Sequence, residues 1–359
     1  MSGDSLANSR PGASGAKPAV EATRMFQEAA ESAAVVARQL RENARLTATI
    51  GSALRARPPR AVITCARGSS DHAATYAKYL IETRARVLTA SAAPSISSVY
   101  GIEQDLRECL FLAISQSGKS PDLLASVAAA KRTGATVVAL CNAPDSPLMA
   151  TADFALPLWA GPERSVAATK SYIASLAALA QLTAEWTQDA SLRSATAALP
   201  AAIASAWKLD WSAALPMLLE AEHLYVIGRG LGLGVAQEAA LKAKETCALH
   251  AEAYSGAEVR HGPFALLGPR FPALLLAQDD ATRPGLETLG AELAARGVGV
   301  AMAGARALGA TLLPTVAGPA VLAPIPLAAS VYRLLATLSV ARGLDPDRPP
   351  HLVKVTETV

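Results

Sequence analysis

The strongest constraint on how this chain can fold is an alternation that runs through it and then starts again. Short apolar, β-branched runs predict strands over residues 61–65, 86–89, 109–114, 136–140 and 153–158. Helical patterns fall between them, from the first strand to residue 80 and over 122–133. A leading helix is expected over 20–56, where Met25, Ala29, Ala33, Val36 and Leu40 recur on one face until Pro58 and Pro59 stop it. After a long helical pattern over 169–186 and an Ala-rich connection, the alternation resumes. Strands are expected over 223–227, 271–277 and 298–302, with helices over 232–249 and 328–341. Continuous apolar strands separated by helices call for parallel sheets covered on both faces, an α/β fold.

Length supports two such units, at roughly 100–200 residues per domain for 359 residues. The halves look related. Arg67-Gly68 ends the first strand of one, Arg229-Gly230 the first strand of the other, and each leads into a helix, as a duplication would leave them. The expected organisation is a disordered tail over 1–20, a first unit over 21–195, a second over 196–345 and a C-terminal tail over 346–359.

Composition excludes several function classes. A formal charge of +3 without a Lys/Arg tract, and 4% aromatics, argue against a nucleic-acid partner. Residues 1–20 lack the apolar core of a signal peptide. The longest apolar stretch, 316–332, is interrupted by three prolines and falls short of the about 20 residues a membrane span needs. Cys65, Cys109, Cys141 and Cys247 form no C-x-x-C pair and no zinc spacing with histidine, so reduced thiols in a cytoplasmic protein, and no metal, are expected.

In an open parallel sheet, ligands bind beyond the carboxyl ends of the strands. After the first strand comes Arg67-Gly68-Ser69-Ser70-Asp71-His72; its serines could bind an anion at a helix N-terminus or simply cap that helix. After the third comes Ser115-Gln116-Ser117-Gly118-Lys119-Ser120. Three hydroxyls and an amide are more than a cap requires, and they suit a phosphate; the P-loop spacing is absent. Residues 228–234, rich in glycine, do not fit G-x-G-x-x-G, so close backbone packing is expected there instead of a dinucleotide. Glu238, Lys242 and Glu245 share one face of the following helix. Its Ala-rich surroundings suggest burial and a carboxyl with a raised pKa, suited to a general base. His261 sits beside Gly262-Pro263 on a rigid turn.

Together these segments resemble the isomerase part of glucosamine-fructose-6-phosphate aminotransferase and the stand-alone aminosugar-phosphate deaminases, whose fold is a pair of flavodoxin-like sugar-isomerase (SIS) domains. The resemblance runs from about Thr23 to Val359. It rests on the Ser115–Ser120 loop, on Gly68-Ser69-Ser70, and on Leu241-Lys-Ala-Lys-Glu245 followed by 250–254 and 261–263. It also takes in the Glu163–Lys170 loop and the tail around Lys354. It implies a phosphate held by Gly68, Ser69, Ser70, Ser115, Gln116, Ser117 and Ser120, with Val166 and Ala167 lining the sugar. It further implies that Glu245 moves the proton between C1 and C2, that His261 opens the ring from a partner subunit, and that Lys242 and Lys354 stand near the reacting oxygens. Lys119 replaces a common Glu, and Ala168 a common Ser. Ser2 follows Met1 where the aminotransferase has a cysteine nucleophile, so the expected reaction is deamination without cofactor: glucosamine 6-phosphate to fructose 6-phosphate and ammonia, in a homodimer with shared active sites. Galactosamine 6-phosphate or a fructose-amine adduct as substrate, and a non-catalytic phosphosugar sensor, are the competing readings.

Overall fold

The computed structural model describes residues 19–354. The expected tail over 1–20 and the last five residues of the expected C-terminal tail lie almost wholly outside that span. The leading helix is two helices, α1 (Arg24–Ala30) and α2 (Ser32–Ala56). The start of α1 is held from far away in sequence. The Asp347 carboxylate accepts hydrogen bonds from the backbone N–H groups of Arg24 (2.7 Å) and Met25 (2.8 Å), two donors that have no partner within the helix. On either side of the break, Glu28 and Glu31 send their carboxylates to the loop and helix start around 164–170.

The first unit continues β1 (Ala61–Cys65), α3 (Ser69–Arg84), β2 (Thr89–Ser91), α4 (Ser95–Ser98), β3 (Cys109–Ser115), α5 (Pro121–Arg132), β4 (Thr136–Cys141), α6 (Pro147–Thr151), β5 (Phe154–Pro157) and α7 (Lys170–Thr187). Three short helices, α8 (Ala190–Ala197), α9 (Leu199–Ala206) and α10 (Leu215–Leu219), lead to the second unit. It comprises β6 (His223–Gly228), α11 (Leu233–Cys247), β7 (His250–Ser255), β8 (Ala273–Leu276), α12 (Arg283–Ala295), β9 (Val300–Ala303), β10 (Thr311–Leu313) and α13 (Pro324–Ala341). Both sheets are parallel and five-stranded. The orders β2-β1-β3-β4-β5 and β7-β6-β8-β9-β10 are the same arrangement repeated.

Several boundaries differ from the sequence expectation. The second strand starts at Thr89, because Arg86 adopts a positive φ of 58° that no strand residue takes. β7 and β10 were not anticipated: both are sheet edges, and neither needs a continuous apolar run. α13 begins at Pro324, ahead of the expected position. Pro324 and Pro326 occupy its first turn, where a missing N–H leaves no bond unmade. Among the described residues it is the one helix long and apolar enough to cross a membrane, and most of it is buried inside the protein.

One continuous apolar core lies between the two sheets. It takes Leu110 and Leu112 from the first sheet, Leu224 and Val226 from the second, and the inner faces of α2, α3, α7, α11 and α13. The outer faces carry separate cores under α5 and α12. The halves meet where α3 crosses α11. A Cβ on Gly234 would stand 2.6 Å from the His72 carbonyl oxygen, and one on Gly232 would stand 2.5 Å from Gln278 Oε1. The glycines of 228–234 thus serve close packing, and that approach brings the acidic face of α11 to the mouth of the first sheet.

Candidate active site

The site lies beyond the carboxyl ends of β1 and β3, where the strand order of the first sheet reverses. A cavity of about 160 Å³ opens there, lined by Arg67, Ser69, Ser70, Ser115, Gln116, Ser117, Ser120, Ala168 and Lys354, with Ile114 and Leu123 behind them. A larger groove, of about 460 Å³ between α8–α9 and residues 316–326, has no ionisable side chain on its walls.

Two turns shape the cradle. Gly68 ends β1 with φ 54° and ψ −133°, a conformation that disfavours any side chain. It also takes the N-cap position of α3, so the serines are not used as caps: no side chain caps α3 or α5. In the second turn the Gly118 N–H donates to Ser115 Oγ (2.9 Å), which curls the loop back on its own strand. Gly118 has φ 65°, and a Cβ there would stand 2.3 Å from Ser146 Oγ. The serine hydroxyls and the two helix N-termini therefore converge on one space, a geometry suited to an oxyanion. Arg67 reaches across it, with Nε and Nη2 at 2.9 and 2.7 Å from Oδ2 of the buried Asp122.

The charged face of α11 lies behind the cradle and meets it through Ser69. Lys242 is 1% exposed, and its Nζ lies 3.1 Å from Ser69 Oγ and in contact with the Glu245 carboxylate. Behind it Glu238, fully buried, lies 3.5 Å from Lys242, 2.9 Å from His72 Nδ1 on α3 and 2.8 Å from the Tyr332 hydroxyl on α13. Burial alone would raise the Glu238 pKa. The Lys242 ammonium and the His72 and Tyr332 bonds outweigh it and hold the carboxyl below its ordinary value. This corrects the expectation of a raised carboxyl on this face: the buried acid is Glu238, and it is paired. Burial likewise works against the Lys242 ammonium, but Glu238 and Glu245 hold its pKa above the usual lysine value. Glu245 is the acid that keeps some exposure, at 19%.

The opposite wall is the loop over 163–169. Buried Glu163 organises it, accepting from the backbone N–H groups of Thr169 (3.0 Å) and Ser171 (3.1 Å) and from the Ser171 hydroxyl (2.7 Å). Lys354 donates to the Ser165 carbonyl oxygen (2.7 Å) and lies 3.5 Å from Glu163. Lys242, Lys354, Glu245 and the hydroxyl cradle thus gather from four segments of the chain. Gly68, Val166, Ala167, Lys242 and Glu245 do not line the cavity; Ala167 is buried in the core, Ala168 faces the space instead, and Lys242 reaches the cradle only through Ser69. His261 is exposed between β7 and β8, also outside the lining. Arg67, Asp122, His72, Tyr332 and the anchoring role of Glu163 escaped the sequence reading. Only Arg67 carried a signal, by following β1 directly.

The described cysteines are free thiols. Burial pushes Cys65 up to about 12 and Cys247 up to about 11, and raises Cys141. Among the described residues no group of three or more His, Cys, Asp or Glu could hold a metal ion.

Two parallel five-stranded sheets of the same order, with a hydroxyl-lined cavity at the first switch point, define a tandem flavodoxin-like α/β architecture. The SIS domain pattern matches residues 57–184 and 217–303, and the chain belongs to the SIS domain family. It is 35% identical to the glutamine–fructose-6-phosphate aminotransferase [isomerizing] of Aeropyrum pernix over 307 residues, 80% of this chain and 49% of that protein. The chain spans about half the length of such relatives. Among solved structures, a candidate phosphosugar isomerase from Silicibacter pomeroyi is 41% identical with a TM-score of 0.88, covering 90% of this chain and 100% of that one. The C-terminal domain of the Francisella tularensis glucosamine-fructose-6-phosphate aminotransferase is 26% identical with a TM-score of 0.82, covering 91% and 98%.

Proposed function

We propose that this protein is a phosphosugar isomerase, and specifically an aminosugar-phosphate deaminase that converts glucosamine 6-phosphate and water to fructose 6-phosphate and ammonia. The observation that carries this reading is the position of Lys242. One ammonium spans from Ser69 in the cradle to the carboxylate of Glu245, so an anchored phosphate and a proton-transferring acid fall within reach of one extended hexose chain.

In this reading Ser69, Ser70, Ser115, Gln116, Ser117 and Ser120 hold the phosphate. Its binding energy fixes the opened sugar without touching the reacting carbons. Glu245 removes the C2 proton, Lys242 stabilises the negative charge developing on O1, and O1 gains a proton to give a neutral enol-amine. Return of the proton to C1, with loss of one from nitrogen, leaves a C1 alcohol and a C2 imine. Water adds at C2 and ammonia departs. Lys354, which donates to the Ser165 carbonyl oxygen beside the cavity, forms a transient imine with the ketose by losing water, and water returns to release it. His261 opens the ring from a neighbouring subunit. Its exposure, away from the cavity of its own chain, supports that division of labour.

The test is ammonia release coupled to ketose phosphate formation from glucosamine 6-phosphate, with galactosamine 6-phosphate and N-acetylated sugars alongside. Absence of ammonia from all of them rules the reading out. Glu245→Gln should bind the phosphosugar as the parent does and lose turnover; undiminished turnover would remove Glu245 as the acid–base group.

A further inference from the structure

The second sheet carries a feature that the reaction does not use. His223 opens β6 and His250 opens β7, and the parallel register sets the two directly side by side. Both are exposed, and their Nδ1 atoms stand 3.1 Å apart. The rings cross nearly perpendicularly, and His223 is backed by Phe271, stacked at 5.2 Å between centroids. From the geometry we infer that His223 and His250 form an open two-histidine site for a borderline divalent transition ion of the nickel, copper or zinc type.

The argument is one of distances. Imidazole nitrogens bind such ions at about 2.0–2.1 Å. Two nitrogens 3.1 Å apart then subtend roughly 100° at the ion, between the square and tetrahedral angles. Strand pairing fixes both backbones and Phe271 fixes one ring, so little motion is needed. With both rings neutral, one Nδ1 donates its proton to the other. On binding, the donor ring shifts that proton from Nδ1 to its Nε2, which frees both Nδ1 lone pairs with no net proton released. Among the described residues no third His, Cys, Asp or Glu joins the pair to make a larger ligand group. Water therefore completes the coordination, and oxygen-preferring ions such as magnesium gain nothing here. An ion in this position ties edge strand β7 to β6, at the end of the sheet opposite the loops that follow those strands.

The experiment is calorimetric titration of the whole protein with nickel chloride, with magnesium chloride as control, and with thermal unfolding read in parallel. The expected result is one nickel per chain, a melting temperature that climbs with nickel concentration, and no response to magnesium. His223→Gln and His250→Gln should each weaken nickel binding at least tenfold, while His351→Gln leaves it unchanged. Because both positions are exposed, the variants should melt without metal as the parent does, and this separates lost binding from lost folding. Failure of the parent to bind nickel, or affinities of His223→Gln and His250→Gln within twofold of the parent, would overturn the inference.

Discussion

Replacing Lys242 by Met removes the ammonium between Glu238 and Glu245 while keeping the length of the side chain. Glu238 is then a fully buried carboxylate whose remaining partners are His72 at 2.9 Å and the Tyr332 hydroxyl at 2.8 Å. Deleting one partner of a buried ion pair costs about 3–5 kcal/mol, mostly because the other charge is left uncompensated. The two surviving bonds put this case near 3 kcal/mol. The double variant Glu238→Gln/Lys242→Met leaves no orphaned charge, so at least half of the loss should return although more native contacts have been deleted. The assay is urea unfolding of the parent, both single variants and the double variant, with stability taken from linear extrapolation. The pH dependence gives a second check. Without Lys242, burial dominates and Glu238 prefers its proton in the folded state, so the deficit of Lys242→Met should shrink as pH falls. A double variant no more stable than Lys242→Met, or a deficit that does not change with pH, would refute the claim that Glu238 is held ionised by Lys242.

Three further outcomes follow from the same geometry. Gly118→Ala forces an alanine to φ 65° with its Cβ 2.3 Å from Ser146 Oγ; urea unfolding should show a loss of about 2–5 kcal/mol, and calorimetry at least tenfold weaker binding of glucosamine 6-phosphate. In the parent, the Glu238 pKa is depressed, so its contribution to stability is complete above the ordinary carboxylate range and is lost as pH falls through the folded value; Glu238→Gln should flatten the acid limb of the stability profile. Buried Cys65, Cys141 and Cys247, with raised pKa values, should resist iodoacetamide in the folded protein, leaving partly exposed Cys109 as the first thiol labelled in peptide mapping.

Much of the candidate site's hydroxyl-rich lining could be read before any coordinates, because it is built from contiguous loops. The serines of 69–70 and 115–120 follow strands whose apolar runs are continuous, and such strands deliver their next residues to one edge of a parallel sheet. The edge strands β7 and β10 were hidden for the same kind of reason: half-covered by neighbours, they carry no such run. The break at Glu31 was hidden because the groups that make it, Asp347 at one end of α1 and residues 164–170 at the other, lie far away in sequence.

Periodicity and turn chemistry, which are local, determined the α/β class, the repeated unit and the residues that could hold an anion. The tertiary structure alone decided which acid is which. Glu238 and Glu245 are alike in sequence, one turn either side of Lys242 on a single helix. Only the packing of α11 against α3 at Gly234 and against α13 buries the first against His72 and Tyr332 and leaves the second partly open. Burial and charge pairing between distant segments set ionisation, and neither is encoded in the spacing of residues along the chain.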